Sequence, residues 1–140
     1  MDGKVDVAQA KADQRPVVLV VDDQEDTRES LSAYIAKNAP GAHVMTAASA
    51  AEALDLLPRV PATVIFSDLI MPDMDGVEFL QKARAICPGA HRYLLTAYPM
   101  EVDYKARKQG TVEGVLLKHA VREVLDALPD EMLPPGKRKR

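Results

Sequence analysis

Apolar residues come in short dense runs, and most of the runs end on a polar side chain. Val17-Val18-Leu19-Val20-Val21 stops at Asp22-Asp23, Val64-Ile65-Phe66-Ser67 at Asp68, Tyr93-Leu94-Leu95 at Thr96, and Val115-Leu116-Leu117 at Lys118. A weaker run centred on Val44 and Met45 lies within residues 42–47. Short apolar runs bounded by turn residues suit strands buried on both faces, as in a parallel sheet. Between the runs the spacing lengthens to the helical period. Leu31, Tyr34, Ile35 and Asn38 predict one helix, and Ala53, Leu56 and Leu57 a second. Val77, Phe79, Leu80, Ala83 and Ile86 predict a third, and Val121, Val124, Leu125 and Leu128 the last. A fourth helix, opened by Pro99 and closed by Gly110, is unusually polar, carrying Glu101, Asp103, Lys105, Arg107 and Lys108. Asp26 with Glu29, Ser49 with Glu52, and Asp75 with Glu78 have capping-box spacing at three helix starts.

Five strands alternating with five helices predict an α/β protein: a doubly wound, five-stranded parallel sheet with helices on both faces. Right-handed crossovers leave few topologies. Strand order 2-1-3-4-5 is one common solution, with its site near the carboxyl ends of strands 1 and 3.

The chain has 140 residues, 47% hydrophobic and 28% charged, enough for one domain with one real core. No apolar run approaches the roughly 20 residues of a membrane span. Residues 1–15 lack the apolar centre of a secretory signal and read as a flexible lead-in to a domain over 16–129. Pro129, Pro134, Pro135 and Gly136 lead into a tail over 130–140, expected to be flexible, that ends Lys137-Arg138-Lys139-Arg140. The net charge is −3 and these last four residues carry +4, so residues 1–136 stand at −7. An acidic body argues against a generic nucleic-acid binder. The single cysteine, Cys87, leaves no internal disulfide and fits a reducing, cytoplasmic setting. It reads as a small apolar filler near a helix end. His43, His91 and His119 have no metal spacing.

In a parallel sheet Asp22, Asp23, Asp68, Thr96 and Lys118 all arrive at one edge. Clustered carboxylates repel and call for a cation. Oxygen ligands with no His or Cys suit a hard ion, and two or three carboxylates with retained waters suit Mg²⁺. Thr96 offers a hydroxyl and Lys118 an ammonium beside a carboxylate nucleophile, the parts that phosphoryl transfer uses. Asp73 and Asp75 read as turn and cap residues rather than ligands. A flavodoxin-like cofactor binder is disfavoured, because Asp22-Asp23-Gln24-Glu25-Asp26 would repel a phosphate. A phosphatase of related topology would want a second acid two residues after Asp68, where Ile70 stands.

Val20-Val21-Asp22-Asp23, Ser67-Asp68-Leu69-Ile70-Met71-Pro72-Asp73-Met74-Asp75-Gly76, Leu95-Thr96-Ala97 and Leu116-Leu117-Lys118 occur in this order. In these four motifs the chain resembles the receiver domain of two-component response regulators, the CheY-like family with a flavodoxin-like (βα)5 fold, over residues 16–128. The resemblance implies that Asp68 is the phosphoacceptor. It implies Mg²⁺ held by Asp23 directly, by Asp22 largely through water, by Asp68, and by the Ile70 backbone carbonyl, with Thr96 and Lys118 binding the phosphoryl group. It implies phosphorylation by a sensor histidine kinase or a histidine phosphotransfer protein, and a downstream protein partner that the sequence does not name. Nucleic acid and membrane are not expected partners of the receiver itself. Such a chain is not an enzyme beyond its own phosphotransfer and dephosphorylation.

The chain departs from the family pattern at three places. His119 stands where a proline usually follows the lysine, Val115 where an aromatic switch usually precedes it, and Gly114 where an acid is frequent. A non-proline cis bond costs about 2.5–4 kcal/mol, so the Lys118–His119 peptide is expected to be trans. Val115 has no ring to swing beside Thr96, which places the expected response in the Thr96–Met100 loop and the polar fourth helix. It also leaves open a module that signals by binding alone, without phosphorylation.

Overall fold

The computed structural model describes residues 7–97, 110–118 and 121–137. Its centre is a five-stranded parallel sheet of β1 (Val17–Val21), β2 (His43–Ala47), β3 (Val64–Asp68), β4 (His91–Thr96) and β5 (Gly114–Leu117). The strand order is β2-β1-β3-β4-β5, as expected. Every residue of β1 and β3 is buried, which is why these strands read as unbroken apolar runs rather than as an alternation.

Alternate residues feed two cores. Val18, Val20, Val64, Phe66 and Leu95 point to one face, where α2 (Glu25–Asn38) lays Leu31 and Ile35, and α5 (Val121–Asp126) lays Val124. Val17, Leu19, Val21, Ile65 and Leu94 point to the other. There α3 (Ala50–Leu56) and α4 (Gly76–Ile86) supply Ala53, Leu56, Phe79, Leu80 and Ala83. Cys87 sits at the α4 C-cap, buried, as its spacing suggested.

The caps divide by how local they are. Asp75 caps α4 through a 2.9 Å bond from the Glu78 N–H, and Ser49 caps α3 through a 3.1 Å bond from the Glu52 N–H. Asp26 does not cap α2. The N-cap there is Gln24, whose side chain makes no capping bond, and Asp26 lies inside the first turn, where an acid still favours the helix dipole. Ile86 is 38% exposed and does not join the apolar face of α4. Leu128 lies past the end of α5 but is buried. The expected fourth helix and the Lys118–His119 peptide lie outside the described residues.

Both ends of the domain differ from the expectation of free chain. Val7–Ala12 forms α1, with Ala10 buried against the α3–α4 core. Behind it, the Asp13 carboxylate pairs with His43 Nδ1 at 2.8 Å and with the Arg15 guanidinium, whose Nη1 donates to the Pro40 carbonyl at 3.0 Å. At the other end Asp130–Met132 and Pro135–Lys137 are 3₁₀ turns. Met132 is wholly buried in the α2–α5 core and its carbonyl accepts from Gly41 N–H at 2.9 Å. A Cβ at Gly41 would stand 2.2 Å from the Glu131 carbonyl oxygen, so only glycine admits the turn this close. Two apolar residues between prolines are too short a signal to read as packed chain, and so is Val7 with Ala10. Tertiary burial, not local periodicity, orders both segments.

Candidate functional site

The strand ladders bring the polar strand ends to one rim. Val21 lies beside Ala47 and Ser67, Asp68 beside Leu95, and Thr96 beside Leu117. The next residue of each strand therefore emerges at the same edge. Asp22 N–H donates to the Ala47 carbonyl at 3.2 Å, and Lys118 N–H to the Thr96 carbonyl at 2.9 Å.

Asp68 is fixed by its main chain. Ser67 Oγ donates to its carbonyl at 2.9 Å, and the next N–H, on Leu69, donates to the Leu95 carbonyl at 3.2 Å. Gly76 opens α4 directly against it: a Cβ there would lie 2.3 Å from the Asp68 carbonyl oxygen. The side chain is nearly sequestered, at 6% exposure for the residue. Burial, and then the neighbouring Asp22 charge, push its carboxyl above the ordinary carboxylate range, while Lys118 pulls the other way.

Carboxylate oxygens of Asp22, Asp23 and Asp68 all lie within 4.8 Å of one another. Asp22 is buried and Asp23 exposed, so the cluster opens to solvent on the Asp23 side. Lys118 Nζ reaches in to 3.3 Å from Asp68 Oδ2 and 3.4 Å from Asp22 Oδ2. Thr96 is buried at the end of β4. Ile70, two residues beyond Asp68, turns its side chain outward at 73% exposure. The five residues singled out by the strand ends therefore do meet at one rim.

The donor set fits a hard divalent ion. All three side chains offer oxygen, and an octahedral Mg²⁺ with bonds of about 2.1 Å spaces its oxygen ligands by about 3–4 Å. Three other residues shape the site and were not legible in the sequence. Gln24 donates its N–H to Asp22 Oδ1 at 2.9 Å, and its Oε1 accepts from Lys118 Nζ at 3.4 Å. Arg28 Nη1 donates to the Asp22 carbonyl at 2.8 Å from one turn into α2. Ser67 holds the Asp68 carbonyl, as above. None of the three carries a spacing signal of its own.

At β5, Val115 packs against the α3–α4 core and Gly114 lies against the Tyr93 ring, its virtual Cβ 3.2 Å from Tyr93 Cδ1. Tyr93 in turn stacks on Phe66 with ring centroids 5.6 Å apart. Among the described residues the aromatic pair thus lies on β3 and β4, and β5 contributes no ring.

A doubly wound five-stranded parallel sheet with an acidic trio and a lysine at its carboxyl rim defines a receiver-type (βα)5 fold as a class. The family model for the response regulator receiver domain matches residues 18–128, and the chain belongs to that family. It is 38% identical over 103 residues to an uncharacterised 14.6 kDa protein of Leptolyngbya boryana, covering 72% of this chain and 77% of that one. It is 37% identical over 92 residues to the hydrogenase transcriptional regulatory protein HoxA of Cupriavidus necator, covering 66% of this chain but only 18% of HoxA. Among solved structures, it is similar to the Thermotoga maritima response regulator TrrA, crystallised in complex with Mg²⁺ and BeF. That match has a TM-score of 0.70 and 25% identity, covering 79% of this chain and 94% of TrrA. Among the described residues no helix is long and apolar enough to cross a membrane.

Proposed function

We propose that this receiver domain accepts a phosphoryl group on Asp68 from the phosphohistidine of a sensor histidine kinase or a histidine phosphotransfer protein, and passes the change to a downstream protein partner. The observation that carries the reading is the Asp68 carboxylate, nine-tenths sequestered, with a lysine ammonium 3.3 Å away and two further carboxylates beside it. An Asp68 oxygen would attack phosphorus as the P–N bond to the donor imidazole breaks. The imidazole leaves with the bond's electron pair and takes up a proton. Lys118 and the Thr96 hydroxyl then hold the oxygens of the transferred group, and the fixed main chain of Asp68 aims the nucleophile.

Mg²⁺, when bound, neutralises charge on the transferring group. Asp22, Asp23, Asp68 and the Ile70 carbonyl would hold it, and the complex of TrrA with Mg²⁺ and BeF supports this assignment by similarity. The site would work in a reducing, cytoplasmic setting, and no separate substrate is turned over. A second reading, signalling by binding alone, is favoured by Val115, which offers no aromatic switch.

Incubation with a small phosphodonor and Mg²⁺, read by intact mass, separates the two. The expected result is one added phosphoryl group on the wild type and none on Asp68→Asn or Asp23→Ala. Asp23→Ala should also lose the Mg²⁺ site, whose wild-type affinity is expected at roughly millimolar to sub-millimolar. A wild-type protein that stays unmodified supports the binding-only reading, and an Asp23→Ala variant with unaltered metal affinity removes the site assignment.

A further inference from the structure

The loop between Asp68 and Gly76 is tied down at several points and open at one. Met71 is buried in the α3–α4 core, Gly76 N–H donates to the Leu69 carbonyl at 2.7 Å, and Asp75 caps its own helix. A further tie is remote in sequence. The Asp73 carboxylate accepts from Ala51 N–H at 2.8 Å and from Ala50 N–H at 3.4 Å. Those donors belong to the first turn of α3, which already has its local cap in Ser49. The helix therefore carries a second cap, delivered from a different loop. The bond from Ala51 leads the effects that hold the Asp73 carboxyl below its usual range. What the second cap does for α3 is modest, since one cap already serves that turn. At its other end it immobilises a loop whose Ile70 side chain makes little contact with anything, at 73% exposure. Pro72, with its locked φ, links the two positions stiffly.

We propose that Asp73 is a positioning residue for the Ile70 carbonyl: it holds the β3–α4 loop against the N-terminus of α3, so that this oxygen stands ready for a divalent cation beside Asp22, Asp23 and Asp68. This rests on the phosphoacceptor reading and deepens it, extending the metal site's support to a helix that contributes no ligand. Met71 holds the loop by packing; Asp73 adds a tie made by two hydrogen bonds across the surface, and that tie is removable without emptying the core.

The test is a Mg²⁺ titration of the full chain without phosphodonor, followed by backbone amide shifts. Asp73→Ala should weaken Mg²⁺ binding about tenfold, the scale of lost support around a metal ligand. Asp73→Asn keeps an amide oxygen for the Ala51 N–H and should stay within about twofold of wild type. Ala51→Pro removes the donor at the far end, is tolerated in a first helical turn, and should reproduce the loss seen with Asp73→Ala. Ser49→Ala removes the local cap of the same helix and leaves the loop tied, so its metal affinity should be unchanged. Equal weakening in Ser49→Ala, or full affinity in Asp73→Ala, overturns the proposal. If Asp23→Ala loses the metal while Asp73→Ala keeps it, the site assignment stands and only this inference fails. A wild type that binds no Mg²⁺ overturns both.

Discussion

Replacing Gly76 by alanine should damage both the stability of the domain and the proposed chemistry of Asp68, because that glycine is where α4 meets the Asp68 main chain. The added methyl would stand 2.3 Å from the Asp68 carbonyl oxygen, 3.1 Å from its carbonyl carbon and 2.7 Å from Leu94 Cδ2. Leu94 is wholly buried, and the Asp68 carbonyl is held from the other side by Ser67 Oγ. Non-bonded carbon contacts settle near 3.5 Å, so α4 and β3 must part by about 1 Å. Overpacking of this kind costs about 1–3 kcal/mol. Alanine recovers up to about 1 kcal/mol through helix propensity and a less free unfolded chain. The net loss falls within about 0–3 kcal/mol, and its centre, about 1.5 kcal/mol, moves a urea midpoint down by about 1 M at a typical denaturant slope. The displaced carboxylate matters more for function, since a misplacement of about 1 Å can cost about 10²-fold in rate. Urea unfolding followed by circular dichroism gives the first quantity, and phosphorylation by a small donor the second. Gly89→Ala is the reference, since a Cβ there meets nothing within 4 Å, and it should stay within about 0.5 kcal/mol of wild type. A Gly76→Ala protein with an undiminished midpoint and an undiminished rate would refute the reasoning.

Met132→Ala should cost about 2–5 kcal/mol by urea unfolding, because the side chain is wholly buried; a cost near zero would return the segment after Leu128 to free chain. Asp68→Asn should be more stable than wild type at neutral pH without divalent cation. The fold raises the Asp68 pKa above the ordinary 3.8, so ionised Asp68 is a destabilising presence above its folded pKa, and the penalty vanishes below 3.8. The advantage of the variant should therefore shrink as pH falls toward that value and on adding Mg²⁺, both readable from melting temperatures. A wild type already the more stable at neutral pH without metal would count against it. Ile70→Asn should shorten the life of the phosphorylated form in Mg²⁺, because an amide two residues from the acceptor can orient a water and the present side chain cannot; an unchanged or slower decay by intact mass would go against this.

The sheet was legible because its inner strands are buried on both faces, which leaves an unbroken apolar run with a conspicuous polar end. β1 and β3 show this best, and the same polar ends pointed to the site. Local caps were legible for the same reason: Ser49 and Asp75 each act three residues away. Asp26 was misread because four acids crowd residues 22–26 and offer several equivalent caps, while the N-cap fell to Gln24 among them. The remote contacts were not legible. Nothing in the spacing says that Asp73 caps α3 rather than its own loop, that Arg28 reaches the Asp22 carbonyl, or that Met132 returns to lie on Gly41. Such pairs are made by the fold, between residues whose separation in sequence carries no period.

Lys118 stands 3.4 Å from one carboxylate and 3.3 Å from another. A cation shared by two neighbouring anions is drawn toward both, so its resting position depends on the balance of the two charges. Anything that neutralises one side, whether a proton or a cation at Asp22, or that adds charge at Asp68, draws the ammonium across. Its backbone N–H is bonded to the Thr96 carbonyl, where β4 and β5 end together. A lysine tied to a single acid registers presence or absence. One shared between two would act as a comparator, with the end of β5 as its needle.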